Sequence, residues 1–479
     1  MTEHVKQKQT LAINRVPHAW SVTFSNGISP AGVRGDLARN MVAEAAVGNV
    51  AVRNDFDRLA IYRRPIFNAT WDSTARCWKD FVKQGEEGFT FSPTEENREV
   101  VYRCQPFWYK IDFSGEYGPS FVSVTDRPLE GYKLAPMFKN GTTYEYRPCF
   151  EMGIGADGKP HSRAGLLPVV GEPVEMMAHA RAYDSAAHTE KMADWFSEYL
   201  LLLVEFGTRH LSALMPGYTN SSIPLAVCET LSTGPYLGFY ASTPDQVKVG
   251  EVLRLTYVGS GNTELWCDMT VLDVDTEESS LGYYITTDCE DLYTIMTIGR
   301  SHAVHPLPCL TGSALPYLTN ASSGTYGDGA HNPCVWRGKE NPWGNISSLI
   351  CDVVLNIADT ESATFYELTD LSAFDGTLND AYTALMDVAK NSIGTGCVKS
   401  FARAGKDHMM IPCGVHAGAQ TQYWATYTRL TSVFSTLGLR FVRVGGDFAT
   451  KRPITHGTYE FYGGVNIGLF GARLVLEEG

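Results

Sequence analysis

The sequence predicts an α+β fold in which a mostly antiparallel sheet packs against two helices. Apolar residues recur at helical spacing between Thr189 and Gly207, which predicts a helix. Residues alternate between apolar and polar at 249–258 and again at 264–274, and a Gly-Ser-Gly-Asn turn separates these two runs. The 45 glycines and 24 tyrosines also favour turn-rich β structure over a helical bundle.

The first predicted helix is apolar on nearly every side, so we expect it to be central. Thr189 or Asp184 is placed to cap its start, and Gly207 its end. A second helix is predicted over 379–391. The helical spacing of the first is carried by Met192, Trp195, Phe196, Tyr199, Leu202, Leu203 and Phe206, and that of the second by Ala381, Leu385, Val388 and Ala389.

Strands account for most of the remaining pattern. The runs Phe107–Phe113 and Phe121–Val124 predict two strands joined by a Gly/Ser turn. Segment 225–300 contains the alternating pair and two further candidate strands, Tyr283–Ile285 and Tyr293–Ile295. We interpret this segment as an inserted small β-barrel or sandwich module.

Bulk composition excludes several functions. The 479 residues carry a net charge of −14, whereas binding to nucleic acid or to an anionic membrane surface requires a basic face. We find neither an apolar run long enough to span a bilayer nor an apolar core after the polar start, so we expect no membrane insertion and no signal peptide. The eleven cysteines form no Cys-x-x-Cys pair, which is typical of reduced thiols made in a cytosol.

Three motifs occur in order along the second half of the chain. They are Gly344-Asn345-Ile346 leading to Cys351-Asp352, then Arg440 to Phe448 (RFVRVGGDF), then Phe470 to Leu476 (FGARLVL). The trio resembles the C-type-lectin-like fold that formylglycine-generating enzymes share with the variable proteins of diversity-generating retroelements. The resemblance implies a lectin-like core in two parts, 101–224 and 301–479. Residues 1–100 would then be an N-terminal attachment domain, and 225–300 would interrupt the core.

The segment Trp336–Asn345 (WRGKENPWGN) has the composition of a tight, hydrogen-bonded loop. Asn and Gly suit turns, Trp suits packing, and Arg with Glu suits an internal ion pair, so we expect a structural role. This segment resembles a Y-R-G-x-E-N-x-W-G-N stretch of phage tail proteins. Ser347-Ser348-Leu349 follows where the enzymes of the superfamily have W-E-W. We also expect Arg443 and Arg473 to be structural, with the guanidinium of Arg473 held by a carboxylate or by backbone carbonyls.

The segment between the last two motifs is the candidate ligand-binding surface. Gly445 and Gly446 allow the chain to turn out of a strand, and aromatic and short polar residues follow. An ordinary hairpin with core aromatics is the alternative, and strand alternation favours Phe461 as a core residue. The predicted contact residues are Asp447, Phe448, Thr450, Lys451, Arg452, Thr455, Tyr459, Phe461 and Tyr462.

Catalytic and metal-binding patterns are weak. His302, His305, Cys309, His331 and Cys334 have zinc-ligand types but match no standard spacing. We therefore predict no cofactor, and leave calcium open through Asp352, Asp359 and Asp370. Formylglycine generation needs a cysteine pair near the C-terminal motifs, but the last cysteine is Cys413, so we expect no catalytic residue.

The resemblance implies a receptor-binding, adhesin-like protein of a phage or prophage tail, with a surface that retroelements diversify in related proteins. Its partners would be a host cell-surface protein or glycan and other tail proteins. We expect a homo-oligomer, with a trimer favoured because phage tips usually have that symmetry, made in the host cytoplasm and located in the virion tail. The alternative is an enzyme of the formylglycine-generating type or a glycan-cleaving tail enzyme.

Overall fold

The structure is a computed structural model, and it describes most of the chain with several gaps. The residues it describes are 18–25, 29–218, 227–229, 236–240, 247, 249–258, 264–275, 282–289, 300–327, 332–359, 362–389, 396–405, 409–416, 427–430, 437–446, 459–462 and 470–478.

Two α-helices occur within the described residues, α1 at Pro173–Tyr183 and α2 at Met192–Phe206. Short 3₁₀ turns occupy Asp55–Arg58, Ala60–Tyr62, Leu211–Ala213 and Leu371–Ala373. None of the described helices is long and apolar enough to cross a membrane.

Thirty strands are described, in three groups along the chain. The first twelve are β1 Ala19–Phe24, β2 Gly32–Asp36, β3 Ala46–Val47, β4 Ile66–Asp72, β5 Cys77–Lys83, β6 Arg98–Cys104, β7 Trp108–Asp112, β8 Phe121–Thr125, β9 Lys133–Leu134, β10 Glu145–Pro148, β11 Gly153–Ile154 and β12 Pro160–His161. The next six are β13 Val227–Glu229, β14 Tyr236–Tyr240, β15 Val252–Val258, β16 Glu264–Asp275, β17 Gly282–Thr287 and β18 Arg300–Pro306. The last twelve are β19 Ser323–Thr325, β20 Cys334–Trp336, β21 Lys339–Glu340, β22 Ser347–Ile357, β23 Ser362–Leu368, β24 Tyr382–Ala389, β25 Gly396–Ala404, β26 Met409–His416, β27 Tyr427–Leu430, β28 Gly438–Val444, β29 Tyr459–Tyr462 and β30 Phe470–Gly471.

The strands form six sheets, and nearly all of their pairings are antiparallel. The largest sheet has nine strands in the order β24-β23-β22-β28-β29-β27-β25-β26, with β30 paired to β22. The others have the orders β2-β1-β8-β7-β9, β10-β6-β4-β5, β11-β12, β21-β20-β19-β3 and β13-β14-β17-β16-β15-β18. Parallel pairs join β19 to β3, β22 to β30 and β27 to β29.

The predicted fold class is wrong. The molecule is mostly sheet, with 41% strand and 12% helix, so it is not an α+β protein with a lectin-like core of one sheet and two helices. Several small antiparallel sheets replace that single core, and none of them closes into a barrel within the described residues. The inserted barrel or sandwich is therefore also wrong, because β13–β18 form one open sheet.

The central helix is confirmed as α2, but its start differs from the prediction. It begins at Met192, three residues after Thr189, and it ends at Gly207, which has a left-handed φ of 64°. The backbone N–H of Met192 has no acceptor within the helix, and it donates instead to the carboxylate of Asp352 in strand β22 at 2.8 Å. Asp194 accepts the N–H of Lys191 at 3.2 Å, which completes the start of the helix.

The second predicted helix, over 379–391, is wrong, and the reason lies in a strand irregularity. Tyr382–Ala389 of this range form β24, which pairs with β23, and 390–391 lie outside the described residues. Tyr366 pairs with Ala384 but its neighbour Phe365 pairs with Met386, so Leu385 is an extra residue in the ladder. Such a bulge interrupts the two-residue alternation of a strand, and the interrupted pattern has the spacing of a helix.

The remaining predicted strands are confirmed where the structure describes them. β7 and β8 form the expected antiparallel hairpin, and β15 pairs antiparallel with β16. β17 covers the candidate strand Tyr283–Ile285, whereas Tyr293–Ile295 lies outside the described residues.

Helix α2 lies at the centre of the larger hydrophobic core, as its composition predicts. Leu200, Leu201, Leu202 and Leu203 are each at most 1% exposed. Strand β22 lies between two cores: Ile350 and Val353 belong to the cluster around α2, while Leu349 and Val354 belong to a second cluster beside α1.

The chain divides into two compact units. The first contains the described parts of Met1–Gly217, Thr311–Asp447 and Arg452–Gly479, and the second is built on the described parts of Tyr218–Leu310. The second unit is wider than the 225–300 module that the sequence suggests. The four-part domain division stays a prediction.

Candidate functional site

The predicted ligand-binding segment lies almost entirely outside the described residues. Asp447, Phe448, Thr450, Lys451, Arg452 and Thr455 are not described, and Tyr459, Phe461 and Tyr462 are described only as backbone of β29. That strand pairs with β28, where Phe461 stands opposite Val442. The assignment of these nine residues to ligand binding stays a prediction.

The glycine turn before this segment has the expected conformation. Gly445 and Gly446 have φ angles of 88° and 69°, the left-handed region that favours glycine. The carbonyl of Gly445 accepts the N–H of Gly344 at 3.0 Å, which ties the end of β28 to the WRGKENPWGN loop.

The WRGKENPWGN loop is a buried structural element, as its composition predicts. Arg337, Asn341 and Asn345 all have positive φ angles, of 49°, 44° and 57°, so the backbone turns tightly at each of them. All three side chains are nearly inaccessible to solvent. The loop is therefore a buried structural element of the first unit.

The ion pair expected within this loop is wrong, because Arg337 pairs with a carboxylate of helix α2 and not with Glu340. Glu205 is fully buried, and its carboxylate accepts hydrogen bonds from Arg337 Nη2 at 2.7 Å and Nε at 2.9 Å. Trp336 Nε1 donates to the same carboxylate at 2.9 Å, and Asn54 Nδ2 donates at 2.7 Å. Four donors thus converge on one buried carboxylate. Glu340, the acid of the loop itself, instead accepts the backbone N–H groups of Gly312, Ala314 and Leu315.

A second buried network joins the same loop to α2 at Glu198, about two turns before Glu205. Lys339 Nζ donates to Glu198 at 2.8 Å and also to Glu190. Arg64 Nη1 and the Tyr102 hydroxyl both donate to the other oxygen of Glu198 at 2.8 Å. Both networks fix the position of the loop and of Arg64.

The two arginines predicted to be structural are buried. Arg473 is 1% exposed and donates to the carbonyls of Cys149, Glu340 and Asn341, which confirms that it is held by backbone carbonyls. Arg443 is also 1% exposed.

No metal site is found in the part of the chain that the structure describes. There, no group of three or more His, Cys, Asp or Glu side chains is arranged to hold an ion. Of the residues considered for zinc, His331 lies outside the described residues, and His302 and His305 are described only as backbone. Of those considered for calcium, Asp352 accepts the backbone N–H of Met192 at the start of α2. Asp370 accepts the backbone N–H of Ser372 within its own turn.

An open cleft of about 630 Å³ lies in the first unit, in the size range of sites for small ligands. We call it the basic cleft, and its charged lining residues are Asp57, Arg63, Arg64, Lys83, Arg103 and Arg337. The cleft could not be predicted from the sequence, because these residues come from separate segments and none stands in a motif for binding. The ends of β5 and β6 supply Lys83 and Arg103, and the turn that leads into β4 supplies Arg63.

Five basic side chains and one carboxylate line the basic cleft, although the whole chain carries a net charge of −14. Two of the five already form ion pairs, Arg64 with Glu198 and Arg337 with both Glu205 and Asp57. The nitrogen–oxygen distances in these pairs are 2.7–3.0 Å. For Arg63, Lys83 and Arg103, no ion pair is found with any carboxylate in the described parts of the chain. The cleft therefore has a surplus of positive charge that an anion can neutralise.

The remaining walls add hydrogen-bonding and apolar groups. Gln84 and Gln105 supply side-chain amides, and Leu315 and Leu318 supply apolar surface. The ring of Tyr144 is 42% exposed, and the Arg103 guanidinium lies 4.2 Å from its centre. Stacking on a ring restricts a guanidinium, so fewer rotamers are lost when Arg103 binds an anion.

The best-defined titratable group outside the cleft is His161, between two carboxylates. Its Nδ1 lies 2.7 Å from Glu99 and its Nε2 lies 3.0 Å from Asp157, with Arg163 nearby and the ring of Tyr183 at 5.8 Å. Burial lowers the pKa of His161 and the Arg163 charge also lowers it. The hydrogen bond and charge of Glu99, with the hydrogen bond of Asp157, outweigh both and raise the pKa above its usual value.

A pH-dependent stability follows from this shift. Because the pKa is raised in the folded state, the stabilisation is complete below the unfolded value of about 6.5 and is lost as pH rises through the folded value. We expect the melting temperature of the native protein to fall, relative to that of a His161→Gln variant, as pH is raised from about 6 towards 8. Parallel melting curves for the two proteins over that range would contradict this assignment.

Comparison with known proteins adds no family. The chain matches no protein-family model, and it has no significant similarity to any curated protein. Its resemblance to phage tail proteins therefore rests on the short motifs.

Proposed function

We propose that this chain is an adhesin-like receptor-binding protein of a phage or prophage tail, and that the basic cleft binds an acidic glycan of the host surface. The observation that carries the proposal is the surplus of positive charge in an open cleft of about 630 Å³ on a chain of net charge −14. The WRGKENPWGN loop, which resembles a stretch of phage tail proteins, adds support because Arg337 and Gly338 of this loop line the cleft.

The chemistry of the lining favours a carboxylated or sulfated saccharide. Guanidinium groups bind carboxylate and sulfate oxygens through paired N–H donors, and amide side chains bind hydroxyls. Because the whole chain carries a net charge of −14, an acidic glycan should be attracted only where positive charge is locally in surplus, as it is in the cleft. The buried networks behind Arg64 and Arg337 hold the floor of the cleft in one geometry before the ligand arrives.

Binding of the full-length chain to polysialic acid and to polygalacturonate tests the proposal, with neutral dextran as the negative control. We expect binding to both acidic polymers, weakening as salt is added because the contacts are charged. A double variant, Lys83→Ala with Arg103→Ala, should weaken binding about tenfold or more, since each charged hydrogen bond contributes on the order of 1.5–3 kcal/mol.

A matched control removes the same charge elsewhere. Arg39 and Lys110 are exposed and lie outside the cleft, so the double variant Arg39→Ala with Lys110→Ala should bind within about twofold of the native protein. Equal losses in the two double variants would mean that attraction is non-specific and would refute the cleft as the site. Unchanged binding in the cleft variant would move the site elsewhere, and the Tyr459→Ala, Tyr462→Ala variant would then test the C-terminal segment.

A further inference from the structure

Two thiols of the second unit lie in contact. Cys267 is in β16, and Cys289 follows the end of β17, the neighbouring strand in the same sheet. Their sulfur atoms are 3.2 Å apart, and the residues are 22 positions apart in the chain. Both side chains are half-buried, so small oxidants can reach them.

The backbone holds these cysteines side by side. The N–H of Asp288 donates to the carbonyl of Thr270 at 3.1 Å, and the Asp288 carboxylate accepts the N–H of Thr270 at 2.6 Å. The N–H of Cys289 donates to the Thr287 hydroxyl at 3.3 Å. The segment that carries Cys289 is thus fastened to β16, which keeps the two sulfurs in contact.

From this contact we propose that Cys267 and Cys289 form an intrachain disulfide once the protein leaves a reducing compartment. The sulfurs need to approach by only about 1.2 Å to reach the bond length of about 2.05 Å. The bond itself does not depend on the proposed function. A protein that is made in a cytosol and acts outside the cell would, however, acquire it on release.

The reaction is a balanced thiol–disulfide exchange with a small disulfide such as oxidised glutathione. The thiolate of one cysteine attacks the small disulfide, which forms a mixed disulfide and releases one reduced thiol. The second cysteine then loses its proton and attacks the mixed disulfide, which forms the Cys267–Cys289 bond and releases the second reduced thiol. Two cysteine thiols are oxidised, and one small disulfide is reduced to two thiols.

The surroundings make this exchange slow at neutral pH. Burial raises the pKa of the Cys267 thiol to about 12, and the hydrogen bond to Cys289 and the charges of Asp268 and Asp288 act in the same direction. Thiolate is the attacking species, so the rate should increase as pH rises. The same aspartates repel anionic thiols, which would also slow reduction of the finished bond.

Mass spectrometry of the full-length chain tests the proposal. Protein purified with a reductant and then incubated with oxidised glutathione should lose two hydrogens, and peptide mapping should place the new bond between Cys267 and Cys289. The melting temperature of the oxidised protein should rise by several degrees, because the bond restricts the unfolded chain. Oxidation should accelerate on going from neutral to mildly alkaline pH.

Two variants separate this bond from other oxidation. Cys267→Ser and Cys289→Ser should each lose the cross-link and the rise in melting temperature, and the remaining cysteine should take up one glutathione. Cys77→Ser and Cys413→Ser remove half-buried cysteines elsewhere and should leave the cross-link intact. The proposal fails if the native protein ends with glutathione on Cys267 or Cys289, or if both keep free thiols.

Discussion

Replacing Glu205 with Ala should lower the free energy of unfolding by about 3–5 kcal/mol, the range for breaking a buried ion pair from one side. The carboxylate is fully buried and accepts hydrogen bonds from Arg337, Trp336 and Asn54. Without it, the Arg337 guanidinium keeps, among the described residues, only Asp57 as a carboxylate partner, and that residue is exposed. Urea denaturation followed by tryptophan fluorescence measures the loss.

The control for this prediction is Glu130→Ala, which removes an exposed carboxylate and should change stability by less than about 0.5 kcal/mol. A double variant, Glu205→Ala with Arg337→Ala, should cost less than the sum of the two single variants, because it removes the unpaired charge as well. If Glu205→Ala costs less than about 1 kcal/mol, the network does not hold the loop against α2.

Local features of the fold could be predicted from the sequence, because their causes are local. The apolar residues of α2 recur at helical spacing, and the glycine that ends the helix follows directly after them, so both could be predicted from consecutive residues. The same is true of the β7–β8 hairpin and the glycine turn at Gly445. In each case the neighbours that decide the conformation are within a few residues.

The errors come from interactions between distant segments. The bulge at Leu385 depends on how β24 pairs with β23, and a single sequence shows only the disturbed spacing. The lectin-like core was inferred from three short motifs, whereas the arrangement of six sheets depends on pairings such as β3 with β19, far apart in sequence. Short motifs determine local loops, not the architecture that surrounds them.

The candidate site illustrates the same limit. An ion pair for Arg337 could be predicted from composition, but its partner Glu205 lies 132 residues away and could not. The basic cleft had no signal in the sequence, since Lys83 and Arg103 are ordinary strand-end residues until folding brings them beside Arg63. Net charge averaged over the chain concealed a local surplus of the opposite sign.

Arg473→Ala is the second change for which we expect a large loss, about 3–5 kcal/mol, together with a lower melting temperature. Arg473 is 1% exposed, and its guanidinium donates to the backbone carbonyls of Cys149 and Asn341 at 3.2 and 2.9 Å. Those carbonyls are buried, so each would be left without this donor.

The charge of Arg473 has a second effect on nearby carboxyl groups. Burial raises the pKa of Glu151 to about 8, and the Arg473 charge is the largest influence that opposes this rise. Burial also raises the pKa of Glu340, and Arg473 again opposes it. Removing the guanidinium should therefore raise both pKa values further, so that Glu151 binds a proton over a wider range of pH.

These effects predict how the native protein and two variants should rank in stability. Arg473→Lys keeps the charge but has no planar fork for the carbonyls, so its loss should lie between those of the native protein and Arg473→Ala. Folded Arg473→Ala protein should still bind acidic polymers, because Arg473 does not line the basic cleft. If the variant instead melted like the native protein and lost that binding, Arg473 would be a ligand-binding residue, and its role as a buried anchor between the C-terminal strand region and the WRGKENPWGN loop would be wrong.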